Sequence, residues 1–419
     1  MRWWVSIAAL LAAADAPAGV EVVIACGSQG DDQVSCQTGA EAWAKSTGNT
    51  VKLVAVPTDS GQQLTQFQQL FAAQSSDVDV FRLDIVWPGM VAGHMVDLKP
   101  HVTDAELKQY FDPIVQAVTV DAKLVALPWF TDAGLLYYRK DLLEKYGQKP
   151  PATWQELAAT AKLIREQERA AGNKRLVGFV FQGKAYEGLT CNALEWIDAF
   201  GGGTVVADDG RITVNNPKAV AAIEFAASLI GGASPKGVLN YDEESARGAF
   251  QSAQAVFMRN WPYAWAKAQN ADSLIKDKVG VMALPPGGPD GKSTGALGGW
   301  NLGVSRYSKQ QEAAISLVKY LTGPQEQKRR ALEYAANPTI AALYQDADIL
   351  KANPFMGTLS KTFANAVARP SKRTGRKYNQ VSAELQSAVH AALAGTEQAG
   401  PALQKLTEKL EKISNGGKW

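Results

Sequence analysis

The sequence predicts an α/β protein of two domains, and three observations predict it. At 419 residues the chain is longer than a single hydrophobic core supports. Short β-branched or apolar runs alternate with longer segments of helical spacing, a pattern that predicts a parallel or mixed sheet flanked by helices. A second region of the same alternation begins at Asp132.

In chain order, "VEVVIA" (20–25), "VKLVAV" (51–56), "DVFRL" (79–83) and "LVALP" (124–128) are strand candidates. The helical spacing of "TGAEAWAKSTG" and "QQLTQFQQLFAAQ" lies between them. "TWQE" (153–156) is a capping box that opens a helix ending near Gly172. Strand "VGFVF" (177–181) follows, then a helix through "LTCNALEWIDAF" closed by Gly201, Gly202 and Gly203. Residues 278–305 return to strand and loop, "KQQEAAISLVKYLTG" is helical, and Pro401 starts a last helix with Leu403, Leu406, Leu410 and Ile413 on one face. In such sheets ligands sit beyond the carboxyl ends of the strands. The stretch "GSQGDD" follows the first strand and Asp84 the third, so both are expected at one edge.

Forty-three basic against forty-one acidic residues leave a net +2, far from the footprint of a nucleic-acid-binding domain, and no nucleic-acid partner is expected. Residues 1–18 read as a secretory signal: Arg2, an apolar stretch from Trp3 to Ala14, and Ala16-Pro17-Ala18 as the cleavage site. The apolar run falls short of the roughly 20 residues a membrane span needs. "VIAC" has the spelling of a lipid-attachment box, but Asp15 and Glu21 interrupt the apolar core that such a signal requires. Outside the cytoplasm Cys26 and Cys36 can oxidise, or remain two separate buried thiols, while Cys191 has no partner. His94, His101 and His390 are scattered without ligand spacing, so neither a metal nor a cofactor is expected.

Enzyme signatures fail on inspection. "PGGPDGKST" has Pro286 where a phosphate loop needs its first glycine, and there is no G-x-S-x-G elbow and no G-x-G-x-x-G after a strand. The cluster Lys372, Arg373, Arg376 and Lys377 reads as a solvated face. What remains is an inventory of tryptophans and carboxylates. Trp43, Trp154 and Trp196 fall on helices as core residues, whereas Trp87, Trp129, Trp261, Trp265 and Trp300 stand beside Pro, Gly or Asp at loop-like positions. Sugars pack their C–H faces on aromatic rings and present hydroxyls to charged and amide groups. Asp31, Asp84, Asp132, Asn301 and Arg369 are candidates for that polar half. A carbohydrate binder and a secreted glycoside hydrolase, with two carboxylates about 5–9.5 Å apart, both fit these ingredients.

The stretches "ALPWFTDAGLLYYRKDLLEKYG", "PPATWQEL", "GFVFQGKAYEGLTC", "RNWPYAWA", "LGGWNLGVS" and "NAVARP" span nearly the whole chain after residue 18. In this order they resemble the extracytoplasmic solute-binding proteins of sugar ABC importers, most of all those for trehalose and maltose. The resemblance implies a two-lobed periplasmic-binding-protein-like fold with a ligand cleft and three hinge crossings, near Thr131 to Ala133, near Gly280 and near Gly323. The lobes would be 19–131 with 281–323, and 132–280 with 324–419. It implies a monomeric, non-enzymatic periplasmic protein that closes on an α-linked disaccharide and delivers it to membrane permease subunits.

Position by position, the resemblance implies that Asp31, with Asp32 as its fallback, and Asp84 and Asp132 grip sugar hydroxyls. Trp261 and Tyr263 would form an aromatic platform, Gly299 and Trp300 the loop beneath the sugar, and Arg369 and Tyr378 the C-terminal contacts. Gln63 stands where relatives carry arginine, and Phe130 where a tyrosine is familiar. "SKRTGRK" after Pro370 is longer than in some relatives, which weakens Tyr378 more than Arg369. With Cys26 ending the first strand and Cys36 starting the next helix, a disulfide would stiffen the loop that presents Asp31.

Overall fold

The computed structural model describes residues 19–27, 30–288, 291–359, 362 and 365–419, the side chains of 30–32 and 358 excepted. The expected signal segment 1–18 lies outside the described residues. Among those described, the strands are β1 (Glu21–Ala25), β2 (Thr50–Val54), β3 (Val80–Asp84), β4 (Thr119–Val120), β5 (Lys123–Leu124), β6 (Leu127–Ala133), β7 (Leu135–Arg139), β8 (Val177–Val180), β9 (Ala255–Asn260), β10 (Val279–Ala283) and β11 (Leu297–Val304). They pair into a five-stranded sheet in the order β2-β1-β3-β11-β6, a four-stranded sheet β10-β7-β9-β8, and the small hairpin β4-β5. β1 runs parallel to β2 and β3, and the late strand β11 inserts antiparallel between β3 and β6. The fold is thus the two-lobed mixed α/β architecture expected.

Each sheet has its own core. Trp43, Phe67, Phe71, Phe81 and Trp129 pack with the strands of the first sheet and with helix Gln311–Thr322. Trp154, Phe179, Phe181 and Trp196 pack with the C-terminal helices Tyr378–Leu393 and Ala399–Ser414 on one face of the second sheet. Tyr137, Met258, Phe250 and Tyr344 fill its other face. β3 is buried along its whole length, as expected of a strand covered on both sides.

The chain passes between sheets at Gly134, where β6 ends and β7 begins, and again at Gly323, between helices Gln311–Thr322 and Pro324–Tyr334. The middle passage differs from expectation. Gly280 pairs with Tyr138 inside β10, and the chain leaves that sheet only after Ala283, entering the first at Leu297. The resemblance put this crossing near Gly280; here that glycine is a strand interior, where a Cβ would run into the Tyr138 ring. The C-terminal segment is also shared, since Tyr378 is buried in the core of the first lobe.

Helix Gly30–Thr47 starts earlier than the sequence pattern suggests, so most of the expected "GSQGDDQVS" loop is helical and Cys36 lies in its second turn. Acidic residues at 31 and 32 in the first turn suit the helix dipole, a stronger signal than the glycine that suggested a loop. Cys26 and Cys36 form a disulfide with Cα atoms 6.4 Å apart, tying this helix to the end of β1. Thr153 caps helix Trp154–Ala170 as expected, but Glu156 returns its hydrogen bond to the N–H of Ala152 rather than to Thr153.

Candidate functional site

Between the sheets lies a cavity of about 370 Å³. Register explains how its first wall is assembled from distant residues. β11 sets Trp300 opposite Asp84 of β3 on one side and Phe130 of β6 on the other, and it sets Gly298 opposite Asp132. Gly299 holds φ at +132°, and a Cβ there would meet the Phe130 carbonyl oxygen at 2.6 Å, so only glycine fits the turn of this strand. The Trp300 ring is held from behind by the Arg82 guanidinium, 3.7 Å from its centroid, and by the edge of Trp87 at 5.5 Å. Arg330 covers Phe130 at 4.7 Å and donates from Nε to Ser35 Oγ at 3.0 Å.

The second wall is built at the end of β9. Tyr137 of β7 donates its hydroxyl to the carbonyl of Trp261 at 2.8 Å, and Asn260 Oδ1 accepts from the Trp261 backbone N–H at 2.8 Å. The Arg259 guanidinium lies 4.0 Å from the Trp261 ring centroid. Arg259 is fully buried; its Nε donates to Glu195 Oε2 at 2.9 Å and its Nη1 to Gln182 at 3.0 Å. Burial pulls the Arg259 pKa down, but Glu195 outweighs it and leaves the group above its ordinary value. Tyr263 donates to Glu244 Oε1 at 2.6 Å; burial, then the nearby Glu244 carboxylate, pushes its phenol well up.

Charged side chains bridge the walls. Arg369 Nη2 donates to Asp84 Oδ1 at 2.7 Å and Nη1 to Glu187 Oε1 at 2.8 Å, with both lobes represented and Arg369 buried. Burial alone would lower the Arg369 pKa; Asp84 and the neighbouring anions reverse the shift and hold it well up. Glu187 also accepts from the Tyr378 hydroxyl and from Ser382 Oγ at 2.6 Å. At the mouth, Lys184 Nζ of the second lobe stands 3.4 Å from Asp59 Oδ2, the N-cap of helix Ser60–Ala72 in the first.

Of the residues singled out in the sequence, Asp84, Asp132, Phe130, Trp261, Tyr263, Gly299, Trp300 and Arg369 line this one cavity. Others fall elsewhere. Tyr378 is buried behind the cavity and reaches it only through Glu187. Gln63 is buried in helix Ser60–Ala72, facing the first core rather than the cavity. Trp87 and Trp129 are core residues, Trp265 packs on Phe355, and Asn301 turns inward to the Leu83 carbonyl. Asp31 and Asp32 sit in the first turn of their helix, and their side chains lie outside the described residues.

Sequence reading missed Asp59, Lys184, Glu187, Glu243 and Arg330, all of which line the cavity. Glu187 falls within the quoted stretch "GFVFQGKAYEGLTC", and "TDSGQQ" has the look of a helix cap. Those were the available signals. Cys191 also borders the cavity, and burial pushes its thiol up to about 12.

Two lobes with an aromatic, hydrogen-bonding cleft between them, bridged by charged side chains of both, define a solute-binding protein. The model of the bacterial extracellular solute-binding protein family matches residues 29–328, and the chain belongs to that family. A probable ABC transporter-binding protein of Deinococcus radiodurans is 54% identical over 407 residues, covering 97% of this chain and 96% of the relative. The structure of maltose-bound T. maritima MalE3 superposes with a TM-score of 0.89 at 39% identity, covering 94% of this chain and all of that one. The Streptomyces glaucescens GacH receptor, studied with acarbose, shares the fold at a TM-score of 0.83 and 22% identity, covering 94% of this chain and 98% of that one. No helix among the described residues is long and apolar enough to cross a membrane.

Proposed function

We propose that the protein is the extracytoplasmic, non-enzymatic binding component of a sugar ABC importer. It takes up an α-linked disaccharide of the trehalose, maltose or sucrose type and delivers it to membrane permease subunits. The observation that carries this reading is the convergence of Trp261 from one lobe and Trp300, Asp84 and Asp132 from the other on a single cavity of about 370 Å³. That volume lies at the small end of ligand pockets, which suits a short sugar. Likeness to the maltose-bound T. maritima protein supports the same class. Indole faces would take the C–H surfaces of the rings while the carboxylates accept hydroxyl protons. Because the two rings stand on opposite lobes, the sugar gains both only when the lobes are together, and binding therefore favours the closed state.

Calorimetric titration of the chain from Gly19 with trehalose, then maltose, tests the reading. Heat that saturates at one sugar per protein is expected. Sustained heat after mixing would indicate turnover and a hydrolase, and no heat from either sugar would overturn the disaccharide assignment.

A further inference from the structure

We infer that Glu243 is a positioning residue for the sugar platform, fixing the in-plane orientation of the Trp261 ring by holding its indole N–H. The inference rests on the sugar-binding reading above. Glu243 opens helix Glu243–Gln251, whose N-cap is Asp242. Its Oε1 accepts from Trp261 Nε1 at 3.2 Å, and its Oε2 accepts from the Tyr186 hydroxyl. Its own carbonyl accepts from Asn260 Nδ2 at 3.1 Å, and Asn260 in turn holds the Trp261 backbone. The indole is therefore restrained by Glu243 at its nitrogen and by Arg259 at its face, and a Cβ at position 298 would crowd the far edge of its six-membered ring at 3.0 Å. Arg259 cannot set the rotation of the ring, because a stacked cation tolerates any in-plane angle. The N–H to carboxylate bond is directional and charge-assisted, so it can.

The groups facing Glu243 are Tyr186 from the loop before helix Glu187–Ala199, Arg259 at the end of β9, Tyr263 beyond Trp261, and Asp242 and Glu244 on its own segment. Burial raises its carboxyl above the ordinary 4.5, a shift that hydrogen bonds from Tyr186 and Trp261 and the charge of Arg259 oppose without cancelling. As pH falls, Glu243 takes up its proton before an exposed glutamate does and loses the charge-assisted bond.

The test compares Glu243→Ala and Glu243→Gln with the unaltered protein, by calorimetry with the disaccharide that binds, across pH 4 to 8. Alanine is expected to weaken binding about tenfold and also to lower the denaturant midpoint, because the buried Tyr186 hydroxyl loses its acceptor, so the pH readout below separates positioning from a purely structural role. Glutamine keeps a neutral acceptor for the indole and a donor for the Tyr186 oxygen, so it should fall between the two. The affinity ratio of wild type to Glu243→Gln should exceed one at neutral pH and decline towards one as pH falls. The other cleft carboxylates titrate in both proteins and cancel in that ratio. An alanine variant that binds as wild type, or a ratio flat with pH, overturns the inference while leaving the sugar reading intact. A wild-type protein that binds neither sugar overturns both. Should the alanine variant not fold, the glutamine ratio decides alone.

Discussion

The two walls of the cleft carry similar chemistry on very different supports. The first wall is a sheet edge: Asp84, Trp300 and Phe130 are neighbours because β3, β11 and β6 pair in a fixed register. The second wall is a single turn after β9, and Trp261 owes its place to side chains, namely Tyr137, Asn260, Glu243 and the buried Arg259–Glu195 pair. Backbone pairing tolerates the loss of one side chain, whereas a side-chain scaffold with a buried charge at its centre does not. The second wall should therefore be the fragile one.

Arg259→Met would break this contrast most severely. It leaves Glu195 buried without its cation, and a loss of about 3–5 kcal/mol in unfolding free energy is expected by denaturant titration. A cost under about 1 kcal/mol would mean the second wall rests on its backbone after all. The first wall has its own brace in the Cys26–Cys36 disulfide. Replacing both cysteines by serine should cost about 2–4 kcal/mol of stability while changing sugar affinity little, since the bond ties down the helix behind the wall. A large affinity loss at unchanged stability would transfer the brace to the site itself.

Trp261→Ala is expected to weaken disaccharide binding roughly 100-fold with stability nearly unchanged, as the ring is only half-buried. Equal affinity in the variant would remove the second wall from the binding reading. A smaller effect belongs to the mouth. Lys184→Met removes the pair with Asp59, which is partly exposed, so sugar release should quicken by no more than about fivefold, an effect that fades in high salt. Glu168, remote from both walls, gives the background. Burial raises its pKa, but Lys145, Asn173 and Tyr146 prevail and lower it from 4.5 to about 2. It stabilises the fold above the unfolded pKa, and that contribution fades as pH falls from about 4.5 towards 2, a decline that Glu168→Gln should remove from acid unfolding curves.

The same contrast governs what could be read in the sequence. Apolar runs separated by helical spacing announce both sheets, because each strand must bury its faces wherever it pairs. Asp84, at the end of its strand, is legible for that reason, whereas Trp300 drew notice as a loop-like tryptophan among glycines and lies inside β11. Tyr378 and Gln63 were not, because proximity in a motif says nothing about which side of a helix faces the cleft. Glu243 was invisible because its role is set by an indole nitrogen eighteen residues away. Trp87 and Trp129 look like Trp261 in their local spelling; only packing distinguishes a ring sealed in the core from one left beside a cavity.

That last distinction has a practical side. Of the chain's eleven tryptophans, only Trp261 and Trp300 among those described border the cavity, and both are half-buried. Trp43, Trp129, Trp154 and Trp196 are sealed in the cores and supply a constant background of indole emission. A sugar laid on the two cleft rings would change the solvent around them and leave the others as they were. If the sugar lies on those rings as proposed, the protein carries an intrinsic optical reporter, with signal and reference in one chain and no dye attached.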